Sequence, residues 1–166
     1  MTYELRAALW EDNPFLEALY ADAHGPEFAS LSLPAPDLAH LVALRFKAER
    51  MAFATQLLDA DHNIIWVDDH RIGRVLLNET PTEIQLVDLA LLTPLRGAGV
   101  GASIIEQLQT YAAQHNLPLR LSVHPRNPAT RLFERLGFVN VSADTTRIDM
   151  EWTAPQPGSP TLSSER

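Results

Sequence analysis

Between Glu83 and Gly101 the chain passes from an almost unbroken apolar stretch into a cluster of glycines. Ile84, Leu86, Val87, Leu89, Ala90, Leu91 and Leu92 read as a strand covered on both faces, because a strand with one wet face alternates instead. Arg96-Gly97-Ala98-Gly99-Val100-Gly101 then opens a helical pattern of Val100, Ile104, Ile105, Leu108 and Ala112. A strand, sharp turn and amphipathic helix in succession require a sheet with helices packed on it, so the chain is an α/β protein. Glycine lets the backbone reverse tightly and brings bare N–H groups close to a ligand. The first amides of a helix lack internal partners and carry the positive end of its dipole, which makes phosphate oxygens their natural acceptors. Arg96 adds a planar cation beside them.

The flanking segments supply the rest of a sheet. Residues 2–9 alternate weakly, as a short strand does. Asp12-Asn13-Pro14 starts a helix carrying Phe15, Leu16, Leu19 and Tyr20, which His24-Gly25-Pro26 ends. Asp37 caps a longer helix reaching Leu58, with Leu38, Leu41, Val42, Arg45, Phe46, Glu49, Met51 and Phe53 on a mixed face. Strands over 63–67 and 72–77 form a hairpin about Asp68-Asp69-His70-Arg71. The glycine-led helix ends near Asn116 and Pro118, before a strand over 119–123. Asn127-Pro128 begins a last helix with Leu132, Phe133 and Leu136, stopped by Gly137. Strands over 138–141 and 147–152 close the pattern, and residues 154–166, rich in proline and serine, read as a flexible tail after one domain over 1–153.

Composition removes several classes of function. A chain of 166 residues fits one domain, and 46% hydrophobic against 20% charged residues is a globular balance. The net charge of −8 repels a phosphate backbone, so nucleic acid is not an expected partner. No apolar run approaches the ~20 residues that span a bilayer, and no secretion signal opens the chain, so a cytoplasmic setting is expected. With no cysteine there is neither disulfide nor thiolate chemistry, and the histidines show no metal-ligand spacing.

The glycine loop fits neither common nucleotide motif. A P-loop needs Gly-Lys-Ser/Thr, and the Rossmann pattern needs Gly-x-Gly-x-x-Gly beside a first strand. Residues 91–101, Leu-Leu-Thr-Pro-Leu-Arg-Gly-Ala-Gly-Val-Gly, instead resemble the acetyl-CoA motif of the GNAT superfamily of N-acyltransferases, Arg/Gln-x-x-Gly-x-Gly/Ala, through Arg96, Gly99 and Gly101. Residues 127–138, Asn-Pro-Ala-Thr-Arg-Leu-Phe-Glu-Arg-Leu-Gly-Phe, resemble that family's Asn…Leu-Tyr-Glu-x-Leu-Gly-Phe segment. The resemblance spans 83–138, and the N-terminal third carries no diagnostic motif.

The resemblance implies a mixed, mostly antiparallel central sheet with a splayed strand pair and helices on both faces. It implies acetyl-CoA as co-substrate, its diphosphate on Arg96, Gly97, Ala98, Gly99, Val100, Gly101 and Ala102. Its pantetheine arm would pair with the strand around Leu89 and Leu91, and an amide near Leu91 would meet the developing oxyanion. Asn127 would touch the cofactor arm, unless its side chain is spent capping the helix. Phe133 stands where the family commonly has a tyrosine that protonates the leaving thiolate; it packs there but has no proton to give. Members often pair, so a homodimer is expected, as is a small-molecule or peptide amine as acceptor. The wall holding that amine is expected over 21–53, with His24, Glu27, His40 and Glu49. The alternative is a non-catalytic acyl-CoA-binding or sensor module.

The general base has rival candidates. Glu83 lies thirteen residues before Arg96, a spacing found in the histone-acetylating branch of the family. Asp88, between Val87 and Leu89, should be desolvated, which favours a proton-accepting role unless a cation pairs with it. Strand alternation sets Glu83 and Asp88 on opposite faces unless a bulge intervenes. His124, just past the strand ending at Val123, has a titration range suited to proton transfer but also suits a solvent-facing loop.

Overall fold

The computed structural model describes residues 3–57, 60–97 and 99–155. Its elements are β1 (Glu4–Ala7), α1 (Asn13–Ala23), α2 (Gly25–Ala29), α3 (Ala35–Gln56), β2 (Asp61–Val67), β3 (His70–Glu79), β4 (Ile84–Leu91), α4 (Val100–Gln114), β5 (Leu119–Val123), α5 (Ala129–Arg135), β6 (Val139–Ala143) and β7 (Ile148–Trp152). The strands form one sheet in the order β1-β2-β3-β4-β5-β7-β6, and β4–β5 is its parallel pair among antiparallel neighbours. On one face Ile65, Val75, Ile84, Leu86 and Leu91 pack with Val100, Ile104, Ile105, Leu108 and Ala112 of α4 and with Phe133 of α5. On the other, Ile64 packs with Leu16 of α1 and Phe46 of α3. The mixed sheet with helices on both faces is the one expected from the sequence. The candidate tail from residue 156 onward lies outside the described residues, as does Leu58, the expected end of the long helix.

Local chemistry explains where the elements differ from the sequence pattern. The β2–β3 turn is tighter than expected: Asp68 and Asp69 alone form it, with φ of 48° and 63°. A two-residue hairpin turn needs both residues left-handed, which aspartate tolerates, and β3 therefore begins two residues earlier, at His70. α1 ends at Ala23 with His24 as its C-cap, as expected, but Gly25-Pro26 at once starts a further helix, α2, since proline suits a first helical turn. Asp37 lies within the first turn of α3, which begins at Ala35 after Pro34, so it favours the helix dipole rather than capping. Of the mixed face expected on α3, Phe46 is the residue that becomes buried. At the end of α4, Asn116 turns left-handed (φ 55°) and Leu117 N–H returns to the Ala112 carbonyl at 3.0 Å.

A partly buried base sits beneath α1 and α3. Burial, then the guanidinium groups of Arg74 and Arg50, push the His62 imidazole down from 6.5 to about 4, with Asp12 pulling the other way. Its Nε2 is buried without a hydrogen-bond partner. Between pH 6.5 and about 4 the unfolded chain binds the proton that the folded chain refuses. Stability therefore falls as pH is lowered through this window, by about 2 kcal/mol after discounting for the solvent the ring still meets. Thermal unfolding measured from pH 7 to pH 4 should show a shallower decline for His62→Leu than for the natural chain; equal slopes would refute this origin.

Candidate active site

Two parallel strands part in the middle of the sheet. β4 and β5 pair through Ile84–Leu119, Gln85–Arg120 and Leu86–Leu121, and no further. At that point the β3–β4 register slips: Leu77 faces Leu86 but Leu76 faces Asp88, leaving Val87 as a surplus residue. The bulge turns β4 away from β5. Beyond it, residues 87–91 of β4 and 122–123 of β5 have no strand partner on the sides that face each other. A slot for an extended chain with amide groups results. The continuous burial expected of this strand is accordingly incomplete: Ile84, Leu86 and Leu91 are buried, whereas residues 87–90 are half-buried along the slot.

The slot leads to the glycine turn. A single 3-10 turn, Thr93–Leu95, follows β4, and Gly97 and Gly99 then adopt φ of 80° and 83°. Only glycine does this without strain, and a Cβ at either position would meet nothing within 4 Å, so open space lies before this backbone. Gly99 is the N-cap of α4, and its carbonyl accepts from Ser103 N–H at 3.1 Å. The amides of Val100, Gly101 and Ala102 donate to no acceptor among the described residues. Ala98 lies outside the described residues. Amides without a partner among the described residues, at a positive helix end, fit a diphosphate.

Arg96 is positioned rather than free. Its Nε donates to the Leu91 carbonyl at 3.1 Å, and its Nη2 lies 3.7 Å from Asp22 of α1. Asp22 also accepts from the Thr93 N–H and hydroxyl at 2.8 Å, so β4's end, the turn and α1 are tied together. Phe133 is buried and packs edge-on to Phe138 at 5.6 Å between ring centres. Asn127 Oδ1 accepts from Ala129 N–H at 2.9 Å, capping α5, which leaves its amide NH2 group available.

The bulge also settles the question of faces. Asn78 donates to Gln85 at 2.9 Å, and Leu76 lies opposite Asp88, so Gln85 and Asp88 share the face that carries α1 and α3. Glu83, two residues before Gln85, follows it to that side. The two candidate bases nevertheless line separate hollows. Glu83 borders a groove of about 570 Å³ with Gln85, Val87, Arg120, Ser122 and Asp149. Its Oε2 is buried without a hydrogen bond, 3.5 Å from Arg120, a guanidinium that Glu151 holds at 2.6 Å. Asp149 in this groove is held down to about 2, chiefly by the Ser122 and Ser142 hydroxyls.

Asp88 opens instead into a cavity of about 50 Å³ with Leu16, Leu19, Tyr20, Ala23, His24, Glu49, Arg74 and Ala90. The cation that was the condition on its expected behaviour is present. Asp88 Oδ2 accepts from Arg74 Nε at 2.9 Å and from its Nη2 at 2.7 Å, while Oδ1 has no partner among the described residues. Arg74 Nη2 also reaches Glu49 Oε1 at 3.3 Å. Arg74 was not singled out by the sequence, although an arginine inside the apolar strand Ile72, Val75, Leu76, Leu77 was the available signal. Of the expected acceptor wall, His24 and Glu49 line the cavity, Glu27 pairs with His24 at 3.3 Å and Arg45 at 3.1 Å, and His40 is exposed. His124 is exposed and lines neither hollow; its Nδ1 accepts from Arg126 N–H at 3.0 Å. Among the described residues no cluster could hold a metal ion, and no helix is long and apolar enough to cross a membrane.

Solved structures share this architecture. PaiA N-acetyltransferase of Thermoplasma acidophilum, crystallised with coenzyme A, superposes with a TM-score of 0.69 at 18% identity, covering 93% of this chain and 100% of that one. An acetyltransferase of Thermus thermophilus gives 0.68 at 17% identity, covering 93% and 98%. A protein of Corynebacterium glutamicum described as histone acetyltransferase HPA2 and related acetyltransferase gives 0.64 at 19%, covering 96% and 100%. No curated protein sequence matches. The parted strands and the glycine turn both fall inside residues 16–138, the stretch matched by the model of the acetyltransferase (GNAT) family, and the chain belongs to that family.

Proposed function

We propose that this protein transfers an acetyl group from acetyl-CoA to a primary amine of a small molecule or peptide. The observation that carries the reading is a strand edge beside helix amides, neither with a partner among the described residues, following one another along the chain from β4 to α4. The amides of Val100, Gly101 and Ala102, with Gly97 and Gly99 giving access, would hold the diphosphate; residues 87–91 would bond to the pantetheine amides. When bound, acetyl-CoA supplies a thioester carbonyl: the amine nitrogen forms the new C–N bond, the C–S bond breaks, and the thiolate, of ordinary pKa ~8.5, leaves and takes a proton from water.

The chain's own residues do the rest. An ammonium group must lose a proton before it attacks. Asp88 is one candidate to accept it, with Oδ1 free at the bulge where the strands part, although the Arg74 guanidinium on Oδ2 removes the desolvation argument made for it from the sequence. Glu83 is the second candidate, reached from the larger groove, and His124 a third from the loop after β5. Backbone N–H groups on the open side of β4 supply donors for charge developing on the carbonyl oxygen. A coenzyme-binding module without turnover is favoured by one observation, the Phe133 ring where a phenol could have served.

Acetyl-CoA incubated with a panel of primary amines should release free thiol. Arg96→Glu should reduce that release about a hundredfold, because it sets a carboxylate against Asp22 and removes the cation next to the diphosphate site. Thiol release unaltered by the substitution would overturn the site, and tight coenzyme A binding without turnover would establish the sensor reading instead.

A further inference from the structure

The junction of α1 and α2 carries a histidine held from several sides. His24 closes one helix and opens the next: its N–H donates to the Tyr20 carbonyl at 3.1 Å, and its carbonyl accepts from Phe28 N–H at 3.0 Å. Its ring lies against the Tyr20 ring at 4.4 Å between centres and meets the Phe28 ring edge-on at 6.3 Å. Nδ1 is 3.3 Å from Glu27 Oε2. An ionised carboxylate only accepts, so in the neutral ring Nδ1 carries the hydrogen and Nε2 the lone pair. Glu27 is itself placed, since its Oε1 accepts from Arg45 Nη1 at 3.1 Å.

The lone pair is within reach of a ligand. Nε2 has no hydrogen-bond partner among the described residues and is not sealed from solvent, the side chain being 40% exposed. The ring borders the same hollow as Asp88 and Ala90, two residues of the β4 stretch that has no β5 partner. Asp22, two residues before His24, accepts from the Thr93 N–H and hydroxyl at 2.8 Å, which ties the end of α1 to the end of β4. His24 therefore stands beside the slot proposed for the thioester. The charged groups near it are Glu27 from α2, Arg45 and Glu49 from α3, Arg74 from β3 and Asp88 from β4. Carboxylates outnumber guanidiniums among them, which draws an ammonium group toward the ring.

Resting on the acetyl-transfer reading, we infer that His24 is the base that takes the proton from the acceptor's ammonium group, and that Glu27 is its positioning residue. A base needs an accessible lone pair on a fixed side chain, and His24 has both, whereas Asp88 is committed through one oxygen to a guanidinium. Imidazoles as a class exchange protons near neutral pH. Nε2 takes one proton from R–NH3+ and passes it to water. The neutral nitrogen then forms the C–N bond as the C–S bond breaks. The nitrogen's second proton reaches the departing thiolate through water, so an amide, a thiol and one released proton result.

The test compares two amines on the full chain with acetyl-CoA. n-Butylamine is an ammonium ion at neutral pH, whereas trifluoroethylamine is uncharged there and has no proton to lose before attack. His24→Gln should lower kcat/KM for n-butylamine about a hundredfold and leave that for trifluoroethylamine little altered. Glu27→Ala should produce the same contrast to a smaller degree. The melting-temperature rise produced by coenzyme A should match that of the natural chain in both variants, which shows fold and coenzyme site intact. Equal losses with the two amines, or no loss, overturn the inference and leave acetyl transfer standing. If trifluoroethylamine is not a substrate, added imidazole decides with whichever amine of the panel is: restored thiol release in His24→Ala upholds the base, and no restoration overturns it. Coenzyme A binding without thiol release from any amine overturns acetyl transfer, and the assignment of His24 falls with it.

Discussion

Gly99→Asp should weaken coenzyme A binding about a thousandfold while lowering the melting temperature by only a few degrees. Gly99 has φ 83°, and its absent Cβ would meet nothing within 4 Å, so the first atom of the new side chain finds room. The left-handed conformation costs a non-glycine residue about 1–2 kcal/mol, aspartate being among the most tolerant. A negative charge at the N-terminus of α4 returns ~0.3–1 kcal/mol of that. The same carboxylate would stand over the amides of Val100, Gly101 and Ala102, where the diphosphate is proposed to sit. Two unit charges about 4 Å apart near a protein surface repel by ~4 kcal/mol, equivalent to the thousandfold loss. Calorimetric titration paired with thermal unfolding separates the two effects. Retained affinity would mean that the diphosphate sits elsewhere.

The second large effect concerns stability. Arg74→Met should destabilise the fold by about 2 kcal/mol, because it strands Glu49 and Asp88 beside each other with no guanidinium between them. Arg74 is only 7% exposed, but the Asp88 and Glu49 side chains keep 35% and 25% of their exposure, so water takes over part of its task. Its guanidinium also lies 5.6 Å from the Phe53 ring centre, a packing contact that methionine partly keeps. The triple change Glu49→Gln/Arg74→Met/Asp88→Asn should regain most of the loss, since neutral amides carry no mutual repulsion. Urea unfolding of the two variants measures the difference. A deficit that persists in the triple variant would assign Arg74's contribution to packing rather than charge.

Much of this architecture was legible in the residues, for physical reasons that also mark where legibility stopped. Periodicity located the strand from Ile84 and the helix from Val100, because buried strands and amphipathic helices each repeat one local rule. The glycine turn was visible because conformations at positive φ select residue type directly. The short helix α2 was missed because Gly-Pro serves both as a stop and as a start, and only the tertiary setting chooses. The Glu49–Arg74–Asp88 cluster joins residues far apart in the chain, and no local spacing encodes such a meeting. Whether Glu83 and Asp88 share a face depended on a surplus residue whose position is fixed by pairing with β3, not by anything in β4 alone. Asn127 showed a cap and a possible ligand contact equally well, and the structure commits its oxygen to the cap.

Val87 has an effect out of proportion to its size. Because side chains alternate along a strand, the one supernumerary position lets Leu86 and Asp88 point to opposite sides although they stand two apart in sequence. Removing Val87 would make those two direct neighbours, and ordinary alternation would then keep each later side chain where it already points. The greasy layer under α4 and the ionic cluster under α3 would both survive such a deletion. What would disappear is the kink, and a straightened β4 would be free to pair with Ser122 and Val123 of β5, closing the slot proposed for the coenzyme arm. On the proposed reading, one surplus residue keeps open a doorway that an equally well-packed sheet would shut.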